Sequence, residues 1–430
     1  MDPAQLPPWD LPEGVTSRYV DTSPAGLKFH VLESLPDTLA PGQRPPLILL
    51  LHGFPNLSYD WRFVMPKLAA AGYYAAAFDM RGFGRTHNAD LSPVPDSSIR
   101  PMTALRDVVT LVHALGYEAI HTLVGHDLGA FVASVCAIAR ADMVKSLVLM
   151  SHPFKGSPRL PFGTAVSPRL ARANTAPSRT GDGKGDAARA DPDIQTSLLQ
   201  LDPPRKHYKY YNASPEAADE WTYPTGEPLH RFLRGYFHLK SADYTLNKPR
   251  ALRSWTAEEL AVLPHYYVMR ADLSMRGNVE LDMASSLGEP AAAGPSDSDS
   301  NGRAAGGGGG GSGETSWLSD ADLQVYTDEF SRTTFGPPLS WYRVLVDAAL
   351  SADLACFAGT RLAVPTKYLS GTSDWGTHQV PGALEAMEGG ESVRGDCWMG
   401  AVHVPGAGHW VNMEKPGESA REILELAGSV

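Results

Sequence analysis

The sequence is poor in the features that mark several classes of protein. Its cysteines are Cys136, Cys356 and Cys397, and three residues without regular spacing indicate neither a disulfide framework nor a cysteine metal site. Lysine and arginine total 37 against 48 aspartate and glutamate residues, a net charge of −11. Because nucleic acids and anionic membranes attract clustered positive charge, neither is an expected partner.

Long apolar runs are missing as well. Runs such as Leu47 to Leu51 have about five residues, whereas a membrane-spanning helix needs about 20. The N-terminal stretch MDPAQLPPWDLPEG is acidic and rich in proline, unlike a secretory signal. We therefore expect a soluble, cytoplasmic protein without a membrane span, and the sequence indicates no particular oligomeric state.

Glycine and proline, in contrast, are abundant, with 41 and 35 of the 430 residues. Part of this excess lies in two stretches, at about 165–193 and 287–316, that have no periodicity and few large apolar side chains. Such a composition buries too little apolar surface to offset the entropy lost on ordering. We therefore expect both stretches to be disordered surface loops.

Short apolar runs alternate with helix-like stretches over the first third of the chain. The runs lie in PPLILLLHGFP, YYAAAFDMRGFG, AIHTLVGHDLG and VKSLVLMSHPF, and the helix-like stretches are Trp61 to Ala71, Met102 to Leu115 and Ala130 to Arg140. This alternation indicates an α/β fold with a mostly parallel, doubly wound sheet. The pattern resumes in TKYLSGTSDWG and GAVHVPGAGHW, so we expect a core of residues 1–154 and 346–430, interrupted by a helical lid at 155–345.

The motif Gly125-His126-Asp127-Leu128-Gly129 follows one of these strands and opens a helix-like stretch. Glycine at both flanks suits a sharp strand-to-helix turn, in which hydrolases commonly present a serine nucleophile. Asp127 holds that position here. A carboxylate can displace a strained or otherwise good leaving group at an sp³ carbon and form an ester, which water then cleaves. The plainer alternative is an aspartate that caps an ordinary helix.

Two later loops contain partners for such a nucleophile. Asp374 follows a strand in SGTSDWG, and His409 follows another in PGAGHW, so the order nucleophile, acid, base matches the α/β-hydrolases. His409 would activate water, and Asp374 would orient its imidazole. The backbone N–H groups of Phe54, in the motif HGFP, and of Leu128 would form an oxyanion hole. No metal or organic cofactor is expected, since the histidines lack a ligand spacing such as HExxH.

With HGFP, GHDLGA, DWG and GHW in this order, the sequence resembles the α/β-hydrolase-fold epoxide hydrolases over its core. The resemblance implies that a small-molecule epoxide is hydrolysed to a vicinal diol through an ester on Asp127. It also implies two lid tyrosines that donate to the epoxide oxygen. Tyr342, in the arrangement FxRTxF…PLxWYR, takes one role. Tyr208, in KHYKYY, takes the other, with Tyr210 and Tyr211 as alternatives.

The chemistry of ring opening independently favours tyrosine. A phenol with a pKa near 10 is protonated at neutral pH and can donate to the leaving alkoxide, whereas a halide needs no proton.

Lys209 stands where the family has glutamine after the first tyrosine. Most of the other aromatic residues of the insertion, a group that includes Tyr236, are expected to be packing residues.

Three rival functions remain open on the sequence. A dehalogenase of the same fold would use the same aspartate, although such enzymes often have tryptophan where Leu128 follows the nucleophile. A carboxylesterase-like hydrolase would require serine in place of Asp127. A catalytically silent hydrolase fold used for binding would not need the complete set of nucleophile, base, acid and tyrosines.

Overall fold

The computed structural model describes residues 2–22, 25–39, 42, 44–158, 192–286 and 317–430 of the chain. The predicted loop at 287–316 lies outside these residues. So does the predicted loop at 165–193, except that its last two residues begin a helix, Pro192–Leu199. Within the described residues, no helix combines the length and the apolarity that crossing a membrane requires.

A nine-stranded sheet forms the centre of the described part of the chain. Its strands are β1 (Thr16–Thr22), β2 (Leu27–Ser34), β3 (Leu47–Leu51), β4 (Tyr74–Phe78), β5 (His87–Asn88), β6 (Thr122–His126), β7 (Leu147–Met150), β10 (Thr366–Gly371) and β11 (Trp398–Val404). The order is β1-β2-β4-β3-β6-β7-β10-β11, with β5 paired to β2. Pairing is antiparallel at β1, β2 and β5 and parallel from β4 to β11.

Helices cover the sheet. They also account for the parallel pairing, because two parallel strands need a long crossover connection, which is usually a helix. They are α1 (Met65–Ala70), α2 (Pro101–Ala114), α3 (Leu128–Ala139), α12 (Ala383–Glu388), α13 (Val411–Glu414) and α14 (Pro416–Ala427). Every residue of β3, β4, β6 and β7 is buried. Strands covered on both faces need apolar side chains at each position, which is why they read as continuous apolar runs.

A mainly helical segment, described at 192–286 and 317–346, connects β7 to the second half of the sheet. Its helices are α4 (Pro192–Leu199), α5 (Tyr208–Asn212), α6 (Ala217–Thr222), α7 (Glu227–Lys240), α8 (Ala257–Leu260), α9 (Met275–Ser286), α10 (Asp320–Thr333) and α11 (Gly336–Val346). Two short antiparallel strands, β8 (Arg205–His207) and β9 (Val268–Arg270), complete it. We call these described residues the helical segment.

The α/β fold with a mostly parallel sheet, predicted from the alternating pattern, is confirmed. The antiparallel pair β1 and β2 was not part of that prediction. β1 is an edge strand whose first three residues are exposed, so its sequence TSRYVDT has no apolar run to reveal it. The helix-like stretch from Trp61 becomes a helix only at Met65, after a 3₁₀ turn at Ser58–Trp61.

Candidate active site

Asp127 lies in a sharp turn between β6 and α3. Its backbone adopts φ 50° and ψ −114°, a conformation that residues with a side chain rarely adopt, and its N–H donates to the carbonyl of Met150 at 2.9 Å. The strain is maintained because the strand and helix on either side are fixed in the core. The turn exposes the Asp127 side chain at the carboxyl edge of the sheet, where 17% of it remains exposed.

The glycines on either side of Asp127 allow the turn to close. A Cβ atom on Gly125 would lie 2.2 Å from the carbonyl oxygen of Gly129, and one on Gly129 would lie 2.5 Å from that of Leu51. Both obstacles are backbone atoms, which cannot rotate away. The structure therefore shows the crowding that the motif predicts, in which only glycine fits on either side of the tight turn.

His409 connects the Asp127 carboxylate to that of Asp374. Its Nδ1 lies 3.0 Å from Asp374 Oδ1, and its Nε2 lies 3.5 Å from Asp127 Oδ2. Because an ionised carboxylate only accepts hydrogen bonds, Nδ1 carries the proton toward Asp374, and Nε2 of the neutral ring is left as the acceptor. The side chains of His409 and Asp374 are each 1% exposed, so both are shielded from bulk water.

The backbone of His409 is held on both sides. Its N–H donates to the carbonyl of Lys240 at 2.8 Å, and its carbonyl accepts from the Ser151 hydroxyl at 2.8 Å and contacts His126 Nε2 at 2.8 Å. The Glu414 carboxylate accepts from the N–H groups of neighbouring residues of the same loop, at 2.9–3.1 Å. The position of the imidazole is thus set by the sheet, by α13 and by the helical segment.

The two oxygens of the Asp127 carboxylate have different surroundings. Oδ1 accepts from the backbone N–H of Phe54 at 3.1 Å, whereas Oδ2 faces His409. Leu128 is the first residue of α3, and the first N–H groups of a helix have no partner within it. A Cβ atom on Gly53 would lie 2.6 Å from Asp127 Cβ, so the close approach of the HGFP loop requires glycine there.

Charge and burial oppose each other at these groups. Burial alone would raise the pKa of the Asp127 carboxyl, but the contact with His409 and the charges of His409 and Lys240 hold that pKa well below its usual range. The pKa of Asp374 is lowered in the same way, because His409 and the Gly376 N–H outweigh burial. Burial and Lys240 act to lower the pKa of His409, yet the two carboxylates leave it raised. Both aspartates are therefore ionised at neutral pH.

Tyr208 and Tyr342 pack against each other, and the charge of Asp127 acts on both phenols. Their ring centroids are 5.6 Å apart, and the Tyr342 ring lies edge-on to Phe54 at 5.2 Å. Burial raises the pKa of both phenols well above 10, and the Asp127 charge adds to this effect. Both hydroxyls are therefore protonated at neutral pH. In this structure the Tyr208 hydroxyl donates to Gln379 Oε1 at 2.9 Å.

The alternative tyrosines lie elsewhere. The Tyr211 hydroxyl donates to the Glu220 carboxylate and accepts from the Met275 N–H at 3.2 Å, so it is engaged away from Asp127. Tyr210 is half-buried, and its ring lies 6.2 Å from that of His207. Of the three tyrosines in KHYKYY, Tyr208 is the one that the structure pairs with Tyr342.

Sequence reasoning overlooked three residues near the site. Lys240 and Gln379 were not singled out, and Tyr236 was assigned to packing, although the Asp127 charge acts on its phenol. A lysine at the end of an amphipathic helix is normally exposed, so FHLKSAD contains no signal for a buried one. Only the folded structure brings these residues to Asp127. Among the described residues, no cluster of histidine, cysteine and carboxylate side chains is arranged to hold a metal ion.

Comparisons with known proteins agree with this fold. Residues 46–251 match the model of the alpha/beta hydrolase fold family. Epoxide hydrolase B of Mycobacterium tuberculosis is 28% identical over 414 residues, which cover 94% of this chain and 96% of the relative. Epoxide hydrolase A of the same species is 28% identical over 412 residues, covering 96% and 97%. A solved epoxide hydrolase from an endophytic Streptomyces superposes with a TM-score of 0.65 at 25% identity, covering 97% of this chain and 96% of that one.

The chain therefore has the α/β-hydrolase fold, and residues 46–251 match the model of that family. Within it, the similarity to epoxide hydrolases extends over nearly the whole length of both chains. The resemblance that the motifs indicate is thus confirmed.

Proposed function

We propose that the protein is an epoxide hydrolase that adds water to a small-molecule epoxide through an ester on Asp127. The observation that carries the proposal is that the two oxygens of the Asp127 carboxylate have different partners. Oδ1 accepts from the Phe54 N–H, and Oδ2 faces His409. The charge of this carboxylate also acts on two protonated phenols, those of Tyr208 and Tyr342. A nucleophile, a base and donors for an oxygen leaving group are what epoxide hydrolysis needs.

In the first step, Asp127 Oδ2 attacks a ring carbon and the carbon–oxygen bond of the ring breaks. Negative charge develops on the departing oxygen, and the hydroxyls of Tyr208 and Tyr342 donate to it. For Tyr208 this means exchanging its hydrogen bond to Gln379 for one to the substrate. The low pKa of Asp127 keeps the carboxylate ionised for the attack.

In the second step, water attacks Cγ of the Asp127 ester while its proton passes to His409 Nε2. The Phe54 and Leu128 N–H groups stabilise the oxyanion on Oδ1. The ester bond then breaks at the carbonyl carbon, and the leaving oxygen takes the proton from His409. The second proton of the water replaces the one that a phenol gave to the epoxide oxygen, so the diol leaves and both the carboxylate and the phenol are restored. Asp374 holds the imidazole in the tautomer that accepts this proton.

The same proposal assigns roles to larger parts of the chain. The helical segment acts as a lid over a core of residues 1–154 and 346–430, because it supplies the phenols and covers His409. The partner is a small-molecule epoxide, and the compartment proposed from the sequence is the cytoplasm. An epoxide is favoured over a halide substrate because the tyrosines are proton donors, which a halide leaving group does not need.

Turnover of a panel of substrates tests the proposal. Purified protein should convert styrene oxide and related epoxides to diols and should release little halide from chloroalkanes of similar size. Asp127→Asn should abolish diol formation, and Tyr211→Phe, at a tyrosine engaged with Glu220, serves as the matched control. Halide release without diol formation would instead establish a dehalogenase.

A further inference from the structure

Lys240 is a buried lysine at the last position of α7, and its ammonium group contacts aromatic rings. The residue is 4% exposed, and its Nζ donates to the Tyr236 hydroxyl at 3.2 Å. The ammonium lies 4.7–5.6 Å from the ring centroids of Tyr236, Tyr266, Tyr267 and Trp410. Such contacts stabilise a cation in an apolar site. Among the described residues, no carboxylate forms an ion pair with it.

The second observation is its connection to His409. The Lys240 carbonyl accepts the N–H of His409 at 2.8 Å, and a Cβ atom on Gly408 would lie 2.5 Å from the same carbonyl oxygen. The Ala242 N–H donates to the Glu414 carboxylate at 2.8 Å, and that carboxylate also holds the His409 loop. The backbone of Lys240 is thus fixed against that of His409, and the Trp410 ring lies 5.3 Å from the ammonium and 4.7 Å from the imidazole ring.

The charged and titratable groups around His409 come from six parts of the chain. They are Asp127 from the turn after β6, Asp374 from the loop after β10, Lys240 from α7, His126 from β6, His152 from the loop after β7 and Glu414 from α13. Burial lowers the pKa of His126 to about 4, so it is neutral at physiological pH. Burial likewise lowers the pKa of His152 to about 4, and it raises that of Glu414 to about 7. The resting site therefore has the two aspartate carboxylates, the Lys240 ammonium and the His409 imidazole, with the Glu414 carboxyl group on the backbone N–H groups of the same loop.

Formation of the ester changes this balance. The Asp127 carboxylate, which favours protonated His409 in the resting site, becomes neutral when it is alkylated. The remaining fixed charges near the imidazole are then Asp374 and Lys240. A protonated imidazole cannot accept a proton from water, so the second step depends on what keeps the ring neutral.

We propose that Lys240 is a positioning residue whose buried ammonium group keeps His409 unprotonated once Asp127 has been esterified. The proposal rests on the proposed function, since it concerns the second step of that reaction. The like charge of Lys240 disfavours imidazolium, and its ring contacts and hydrogen bond keep this charge in place. In the resting site the same charge favours the Asp127 carboxylate, so one group supports both steps.

The test is Lys240→Met, studied by stopped flow in single turnovers across a range of pH. Ester formation and ester hydrolysis are measured separately, so failure of the wild type to form an ester would refute the proposed function. If the wild type does form it, Lys240→Met should move the acid limb of the hydrolysis step to higher pH. We expect hydrolysis to slow by about tenfold on that limb and by less than about threefold on the high-pH plateau.

Lys367→Met is the matched control, because Lys367 is also a buried lysine. It is 5% exposed and pairs with Glu422 at 2.6 Å in the core. Its removal should leave the pH of the acid limb unchanged, and Lys240→Arg, which keeps the charge, should retain the wild-type limb. The proposal would be overturned if the acid limb of ester hydrolysis in Lys240→Met lay at the same pH as in the wild type, even if the variant were slower by the same factor at every pH. If Lys240→Met does not fold, the comparison of Lys240→Gln with Lys240→Arg decides the question by the same criterion.

Discussion

The two parts of the site are built differently. In the core, the backbone places Asp127, since its positive φ and the flanking glycines leave one path for the chain. In the helical segment, side-chain packing places Tyr208, Tyr342 and Lys240, whose rings and ammonium lie among other aromatic residues. A backbone turn tolerates few substitutions, whereas aromatic packing can be varied. We therefore expect the core to determine the reaction and the helical segment to modulate it.

Replacing the nucleophile gives the largest expected effect. Asp127→Asn removes the negative oxygen that attacks the ring, and an amide is a far weaker nucleophile. Epoxide turnover should fall by about 10⁴-fold or more, with an unchanged circular dichroism spectrum. Substantial remaining turnover would show that the core does not determine the reaction, and the distinction between the two regions would fail.

Replacing the base should separate the two steps. His409→Gln leaves Asp127 able to attack but removes the group that activates water, so the ester should form and then persist. We expect hydrolysis to slow by about 10³-fold, and intact-protein mass spectrometry should detect the adduct. Rapid hydrolysis of the adduct by the variant would contradict the role of His409.

Replacing the phenols tests the helical segment. Tyr342→Phe and Tyr208→Phe should each slow ester formation by about 10- to 100-fold, and the double variant should be slower than either. Tyr211→Phe lies in the same short helix as Tyr208 but is engaged with Glu220, so it should remain within about twofold of the wild type. An equal loss in Tyr211→Phe would mean that packing, rather than proton donation, explains the losses.

Glycine substitutions compare the two regions by stability. A Cβ atom on Gly129 would meet the backbone of Leu51 at 2.5 Å, whereas one on Gly235 in α7 would meet a side-chain methyl of Val279 at 2.7 Å. Gly129→Ala should therefore cost about 3–5 kcal/mol, and Gly235→Ala about 1–2 kcal/mol after the gain in helix propensity. Gly417→Ala, which meets nothing within 4 Å, is the control in denaturant unfolding. Equal losses of stability in Gly129→Ala and Gly235→Ala would show that the core turn and the helical segment tolerate substitution equally.

The smallest expected effect is a change in the pH dependence of stability. Burial lowers the pKa of Lys240 from 10.5 to about 8, so between these values the unfolded chain binds more protons than the folded one. Below pH 8 the buried ammonium therefore destabilises the folded protein by its full amount. This destabilisation becomes smaller as the pH rises from 8 to 10.5. Lys240→Met should be more stable than the wild type at pH 7, by up to about 3 kcal/mol, and the gap should narrow as pH rises. A gap that is constant with pH would contradict burial as the cause.

Much of the core could be predicted from the sequence, because local rules act there. The runs at Leu47–Leu51 and Thr122–His126 form strands in which every residue is buried. The glycines on either side of Asp127 are needed because a larger side chain would clash in the turn, which the motif already indicates. Asp374 and His409 follow neighbouring parallel strands, so their meeting follows from the carboxyl edge that these strands share. The edge strand β1 was missed because its exposed residues hide the pattern.

The contribution of the helical segment could be predicted only in part. Tyr208 and Tyr342 came from a family resemblance, and the choice among Tyr208, Tyr210 and Tyr211 depends on the rotation of a five-residue helix. The burial of Lys240 arises from contacts with residues far apart in the chain, Tyr267 and Trp410 among them. No local pattern encodes such contacts, since they depend on how α7 packs against the rest of the helical segment and against the core.

A single turnover in ¹⁸O-labelled water tests the central claim most directly. Enzyme in excess over an epoxide should give a diol without label, because its new oxygen comes from Asp127. The peptide that contains Asp127 should gain one ¹⁸O atom, detected by tandem mass spectrometry after digestion. A labelled diol with an unlabelled Asp127 would show direct attack by water and would contradict the ester mechanism.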